Sequence, residues 1–480
     1  VDPTLVVSFP EGVALAPSGN GEPVLDTPGG RLVLRKVPSA ARGVLDRLVW
    51  PGDSVERLCD EVCRGGAVGD VAHLSYYLQH LASSGFLVVS ADALGQRWAT
   101  LVPTSSTFVL VGKELGTSAY VLSRFAYVRR FGDAIVIESP LAAAQVVVHQ
   151  PSVGQLLCAL AHPTTVTQVE ADDLGLPSTV AVQVLRLLLA AGMVTEVTDE
   201  ETTAEDQQSS LVPWEFHDLL FHARSREGRN VGAFGTMYSF GRRRDPPPIV
   251  KPFEFDETIE LYRPDLAALE KSDPPLAQVV EHRRSIRQYA AEPIGIEQLG
   301  EFLYRVARIR EVFPVAFDTP WGRLEMEASS RPYPASGGLF PLEFYVVVRA
   351  CRGLAAGVYH YDPMGHRLGR VRETTAEVNR LLDESAAALA EPAETMQVLL
   401  VLTARFDRVM WKYSGFAYAL ILKDVGIVFQ NMYLAATAMN LAPCAIGTGN
   451  SDRFTRILGN DYYAETSVGE FTLGSMPFDP

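Results

Sequence analysis

Long apolar runs, a surplus of basic residues, a paired cysteine set and the commonest cofactor signatures are all missing from this 480-residue chain. No stretch reaches the ~18–20 apolar residues of a spanning helix, so no membrane segment is expected. The opening residues Val1-Asp2-Pro3 show no basic run leading into an apolar one, so no secretory signal is expected either. Lys and Arg total 42 against 57 Asp and Glu, a net charge of −15. A balance of that sign argues against general nucleic-acid binding, whose affinity rests on neutralising phosphates. The five cysteines (Cys59, Cys63, Cys158, Cys351 and Cys444) are odd in number and scattered, which is no disulfide framework. Cys59 and Cys63 fall on one face of an expected helix, but two thiols make a poor zinc site, and no metal is expected. Reduced thiols in a cytoplasmic protein are the plainer reading. Dinucleotide fingerprint, P-loop, HExxH and serine elbow are all absent, which removes the commonest competing enzymes.

What is present describes a folded chain, with 47% hydrophobic and 21% charged residues. At roughly 100–200 residues per domain, about three domains are expected. The N-terminal part reads as two copies of one module. The first passes from Pro23-Val24-Leu25-Asp26-Thr27-Pro28 through the β-rich Arg31–Arg35 into a helical segment at Val44–Leu48. A helix from His73 to Ala82 follows, ending at Gly85 before the strand Phe86–Val89. The second passes from Ile135–Pro140 through Gln145–Val148 into Val153–Ala161, then a helix from Ser178 to Ala191, Gly192 and the strand Met193–Val197. Each is a hairpin, then helices, then a glycine cap dropping the chain into a last strand. This order suggests a winged-helix-like unit over residues 1–100 and another over 101–205. Neither has an Arg- or Lys-rich recognition helix, so a protein or peptide partner is preferred to DNA.

Residues 206–275 read as a linker and helical connector. An acidic, polar stretch between Thr198 and Ser210 precedes it, and Trp214–Arg226 forms a short helix. His217 and His222 are five apart and do not share a face as ligands would. Gly241–Pro248, with three consecutive prolines, cannot be helical and looks hinge-like. From 276 to 480 the texture is α+β. A helix at Gln298–Arg308, an extended segment with a turn, strands at Leu342–Val348, Gly357–Tyr361 and Val398–Thr403, a long helix from Tyr418 to Met439 and a strand at Phe471–Gly474 are expected.

Four local patterns carry chemistry. Arg283-Arg284-Ser285-Ile286-Arg287 sets three guanidinium forks and a hydroxyl within five residues, as either a phosphate cradle or a solvated basic turn. Pro334-Ala335-Ser336-Gly337-Gly338 lets backbone amides approach a ligand before a buried strand begins. Trp411-Lys412-Tyr413-Ser414 places two proton carriers side by side. Ala445-Ile446-Gly447-Thr448-Gly449-Asn450 is a glycine loop.

Taken in order, with Gly357-Val358-Tyr359-His360-Tyr361, the patterns over Trp214–Pro480 resemble the SagB-type dehydrogenases of the nitroreductase superfamily. That group includes the oxidases that convert thiazolines and oxazolines of ribosomal peptides to thiazoles and oxazoles, among them cyanobactin-type enzymes with winged-helix peptide-recognition modules. The resemblance implies an α+β domain with a mixed sheet flanked by helices, a homodimer, and FMN at the subunit interface. It assigns Arg283, Arg284, Ser285 and Arg287 to the FMN phosphate and ribityl chain. Pro334, Ser336 and Gly337 are assigned to the flavin, Gly447 and Thr448 to its ring edge, and Lys412 and Tyr413 to catalysis. The implied partners are a heterocyclised precursor peptide, bound through its leader, and a cyclodehydratase. One departure stands out: nitroreductases end in a basic tail that touches phosphate, whereas this sequence closes Ser475-Met476-Pro477-Phe478-Asp479-Pro480. Two rival readings are a nitro- or quinone-type reductase using NAD(P)H and a flavin-free peptide-docking subunit.

Overall fold

The computed structural model describes residues 4–16, 22–27, 30–35, 37, 39–65, 68–93, 95–110, 114–198, 201–230, 232–241, 243–319 and 322–477. The opening Val1-Asp2-Pro3, Pro28, residues 199–200 and 242 of the stretches read above, and the closing Phe478-Asp479-Pro480 lie outside them. The chain divides into two compact units, Val1–Gly232 and Ala233–Pro480.

In the first unit the duplication is written in the topology. A strand at Thr4–Ser8 is flanked by Asp53–Ser54 and Val88–Ala93, and a strand at Ala119–Leu122 is flanked by Thr164–Thr165 and Val194–Glu196. In both, the two-residue flanking strand runs directly into a helix. Ser54 Oγ accepts from Arg57 N at 3.2 Å, and Thr165 Oγ1 accepts from Gln168 N at 3.3 Å. These bonds satisfy N–H groups that a helix start leaves orphaned. In both, the last helix (Val68–Ser83 or Ser178–Ala190) ends on a left-handed glycine, Gly85 (φ 77°) or Gly192 (φ 72°). Phe86 N donates to Leu81 O at 2.8 Å and Met193 N to Leu188 O at 2.9 Å, the same helix-closing motif twice.

Each copy also inserts a three-stranded meander, Ala14–Ala16, Val24–Thr27 and Gly30–Val33 in the first and Tyr127–Phe131, Ala134–Glu138 and Ala144–Val148 in the second. The second meander pairs with Gln96–Pro103, so one seven-stranded antiparallel sheet runs from Asp53–Ser54 to Tyr127–Phe131 and crosses residue 100.

The second unit is built on an antiparallel sheet of seven strands in the order 258–260, 367–373, 357–362, 342–348, 398–405, 465–475 and 441–446. The mixed sheet implied by the resemblance is corrected here, because every ladder of this sheet is antiparallel. Leu342–Val348 turns back into Gly357–Asp362, and the chain returns over the helix Ala376–Ala388 into Val398–Arg405. The two central strands are buried on both faces and feed two cores alternately. Phe344, Val346, Leu400 and Leu402 pack with the helices Ile296–Ala307 and Ala417–Ala438. Tyr345, Val347, Leu399 and Val401 pack with Ala376–Ala388 and Ser451–Leu458. The extended segment expected after the first helix is a hairpin, Glu311–Thr319 against Gly322–Ser330.

Ala417–Ala438 is, among the described residues, the one helix long and apolar enough by composition to cross a membrane. Its buried positions Ile421, Asp424, Val425, Val428, Met432 and Ala436 follow the helical repeat of a helix laid on a sheet. It is a core helix of this unit.

Candidate functional site

Lys412 and Tyr413 are positioned by a strand pairing with the connector. Gly235–Thr236 lies antiparallel to Tyr413–Ser414, and Met237 N and Tyr238 N both donate to Lys412 O, at 3.0 and 3.1 Å. Both side chains are half-buried. Lys412 Nζ sits 5.1 Å from the Tyr413 ring and 5.9 Å from that of Phe317, on the hairpin. Phe317 in turn stacks on Tyr238 at 5.0 Å, and Tyr238 meets Trp411 edge-on at 5.7 Å.

The glycine turn faces this pair. Gly337 adopts φ 63°, and a Cβ built there would meet Tyr413 Oη at 2.5 Å and Lys412 Nζ at 3.3 Å. Ser336 gives both polar groups to Asp424: its amide donates at 3.0 Å, and its hydroxyl donates to the second carboxylate oxygen. Burial pushes the Asp424 carboxyl up, against the Ser336 bonds that favour its charge. Pro334 is exposed and Tyr333 buried. The structure therefore brings Ser336, Gly337, Lys412 and Tyr413 together.

A second group gathers farther along the same helix. Ser285 Oγ lies 2.8 Å from Tyr433 Oη, which accepts from Ala445 N at 2.8 Å, and the Arg283 guanidinium lies over the Tyr433 ring at 5.3 Å. Ile286 N donates to Pro443 O at 2.8 Å, fixing the arginine segment to the strand that leads into Gly447. Arg284, Arg287, Gly447 and Thr448 are exposed. At a rise of 1.5 Å per residue, Asp424 and Tyr433 are about 14 Å apart along the helix axis, so the two groups are distinct within one chain.

Beside the glycine loop, a Cβ on Gly449 would collide with the Glu470 carboxylate. Burial pushes Glu470 up to about 7, opposed by a Ser467 hydrogen bond. A carboxyl raised in the fold contributes stability below its ordinary value near 4.5, which is lost as pH rises through about 7. Glu470→Gln is therefore expected to flatten the decline in thermal stability between pH 5 and 8, a difference of about 3 kcal/mol at 1.36 kcal/mol per pK unit. Melting curves at four pH values check this, and parallel curves for both proteins would refute it.

Sequence reasoning missed the elements that hold the site. The expected hinge at 241–248 is a bound strap. Trp411 Nε1 donates to Arg244 O at 3.0 Å, Arg405 Nη2 to Pro248 O at 2.8 Å and Arg331 Nη2 to Ile249 O at 3.3 Å. Arg408, 1% exposed, donates from Nε to Leu339 O at 2.9 Å and from Nη1 to Pro247 O. It thus ties the strap to the glycine turn. Asp424 had a signal, being the one acid of an apolar helix and placed on its buried stripe. The strap had none, since prolines announce only what they cannot form.

The comparisons with known proteins agree with this division. Residues 120–231 match the family described as cyanobactin oxidase ThcOx, and residues 280–475 match the nitroreductase family. A Methanocaldococcus jannaschii protein named as a nitroreductase is 27% identical over 222 residues, 46% of this chain and 96% of its own length. The trifolitoxin-processing protein TfxB of Rhizobium leguminosarum bv. trifolii is 32% identical over 142 residues, 29% of this chain and 38% of its own. The microcin B17-processing protein McbC of Escherichia coli is 24% identical over 229 residues, 46% of this chain and 75% of its own. Among solved structures, the E. coli microcin synthetase McbBCD complex with truncated pro-MccB17 bound is 20% identical, covering 54% of this chain and 91% of that one, with a TM-score of 0.33.

The second unit is an oxidoreductase domain of the nitroreductase family, a family of flavin enzymes. Ahead of that domain, the segment 120–231 is similar to the cyanobactin oxidase ThcOx family.

Proposed function

We propose that this chain is an FMN-dependent azoline oxidase that converts thiazoline or oxazoline rings of a ribosomally made peptide to thiazoles or oxazoles. The observation that carries it is the meeting of Gly337 with Lys412 and Tyr413, an open turn facing two proton carriers. The matches to the cyanobactin oxidase ThcOx family and to TfxB and McbC, named as trifolitoxin- and microcin B17-processing proteins, support the substrate class.

The residues present fit FMN. Arg283, Arg284 and Arg287, with the Ser285 hydroxyl, offer the fixed charge and donors a phosphate monoester needs. Gly337 and Gly338, both at positive φ, leave room where side chains would block a flat ring. Pro334 and Ser336 shape that turn, and Gly447 and Thr448 would line the ring edge of a bound flavin. When bound, FMN supplies the two-electron acceptor. Lys412 or Tyr413 takes the α-proton of the azoline, and the adjacent ring carbon loses its hydrogen with two electrons, which leaves the aromatic azole. The protein contributes alignment and exclusion of water at that point.

The two separated groups suit a homodimer in which each flavin is held from both subunits, and the exposed Leu422 and Ile427 of the long helix suit its interface. The N-terminal modules are read as winged-helix-like units, with the strand Val194–Glu196 at a sheet edge open to a leader peptide by strand addition. A cyclodehydratase that forms the rings is the natural partner.

The Lys412→Ala, Tyr413→Phe double variant is expected to keep its flavin absorbance and lose azole formation; full azole formation by it would sink the assignment. Rapid bleaching of the flavin by NAD(P)H would instead favour a small-molecule reductase. A colourless protein that takes up no FMN would favour a docking subunit.

A further inference from the structure

The duplicated helices Val68–Ser83 and Ser178–Ala190, with strands of the seven-stranded sheet, line a cavity of about 240 Å³. Its walls are mostly apolar, with Leu5, Val7, Leu78 and Leu187 among them, and Glu56 and Ser75 are its polar members. Phe108 and Leu110, from the segment that joins the two modules, close it on one side. Phe108 is 5% exposed, whereas Val109, between them, is 59% exposed, the alternation of an extended chain.

One side chain holds that segment by its backbone. Gln79 Nε2 donates to Phe108 O at 2.6 Å, and Gln79 Oε1 accepts from Leu110 N at 2.5 Å. The carbonyl of residue i and the N–H of residue i+2 lie on the same edge of a strand, so a carboxamide that meets both behaves as a neighbouring strand would. Such a contact recognises extended backbone of any sequence, while the cavity selects an apolar side chain. A lipid or a small apolar ligand would use the cavity and leave the amide without a role.

We propose that Gln79 and this cavity form a docking groove for an extended peptide of apolar–x–apolar pattern, and that residues 108–110 occupy it in cis until such a peptide displaces them. The proposal rests on the oxidase reading only in taking the natural occupant to be a stretch of the precursor peptide. It differs from strand addition at a sheet edge, because here a helix side chain presents the pairing groups.

The chain's own segment is the probe. A fluorescein-labelled peptide of residues 104–110 is titrated against the full chain and its Leu110→Pro variant, which loses both the N–H that Gln79 reads and the leucine side chain that lines the cavity. A tethered occupant competes at an effective concentration on the order of millimolar. The expected result is at least tenfold tighter binding to Leu110→Pro than to the wild type. That gain should vanish when Gln79→Ala is added, and when the peptide itself carries Phe108→Ala. Should Leu110→Pro fold poorly, Phe108→Ser opens the groove by removing the buried ring. Equal affinity for closed and opened chains, or indifference to the peptide's Phe, overturns the proposal. Azole formation is not read in this assay, so its failure and that of the oxidase reading are separate outcomes.

Discussion

Gly337→Ala is expected to lower azoline turnover by about a hundredfold while the chain stays folded, the scale of loss that follows a misplacement of ~1 Å at a reacting centre. Two effects combine. At φ 63° an L-residue is strained, and the new Cβ would stand 2.5 Å from Tyr413 Oη and 3.3 Å from Lys412 Nζ. The phenol is the far end of a side chain, so the fold can yield by moving it. The cost then falls on geometry at the candidate catalytic pair, with about 1 kcal/mol falling on stability. Gly338→Ala is the internal control: it has a similar positive φ of 83°, yet its Cβ would meet nothing within 4 Å. A loss confined to Gly337→Ala locates the effect at Tyr413 and Lys412. Equal losses in both variants would attribute it to backbone strain or to crowding of the flavin for which both glycines leave room, and no loss in either would remove the turn from the site. Steady-state rates on a heterocyclised peptide, with melting curves, decide among these.

Arg408→Met should have the largest effect on stability. The guanidinium is 1% exposed and serves Leu339 O on the glycine turn and Pro247 O on the strap. Its removal leaves the buried Leu339 carbonyl and the part-buried Pro247 carbonyl without their charged donor, each worth ~1–3 kcal/mol. Burial, with Arg405 and Arg331 close by, pushes Arg408 down to about 9, so it keeps its charge at neutral pH and relief of that crowding offsets part of the loss. A net loss of about 3 kcal/mol remains, roughly 6–12 °C in Tm for a unit of this size. Arg408→Lys should not rescue it, because a single ammonium does not reproduce a fork aimed at two carbonyls. Thermal denaturation of both variants checks this; wild-type Tm for Arg408→Met would mean that the strap is held by Arg331, Arg405 and Trp411 alone.

Much of the architecture was legible because it is periodic. Leu342–Val348 and Val398–Arg405 read as apolar runs because both of their faces are covered. The module repeat was legible through Gly85 and Gly192, whose positive φ closes equivalent helices. Lys412 and Tyr413 stood out as adjacent proton carriers. What was not legible depends on contacts far apart in sequence. The hairpin Glu311–Thr319 with Gly322–Ser330 mixes apolar and charged residues because one face packs and the other is open. Residues 241–248 looked like a hinge because prolines forbid helix, whereas the carbonyls of Arg244, Pro247 and Pro248 are gathered by Trp411, Arg408 and Arg405, as many as 167 positions away. The sheet's antiparallel order likewise depends on which strands meet, and no local pattern records that.

Azole formation on a peptide is the deciding reaction. Purified protein supplied with FMN and a thiazoline- or oxazoline-bearing peptide is followed by mass spectrometry under air. A loss of ~2 Da per ring, the proton and hydride that separate azoline from azole, is the predicted result, and the Lys412→Ala, Tyr413→Phe variant should show none. A flavin-loaded wild-type protein that leaves the peptide mass unchanged would contradict it.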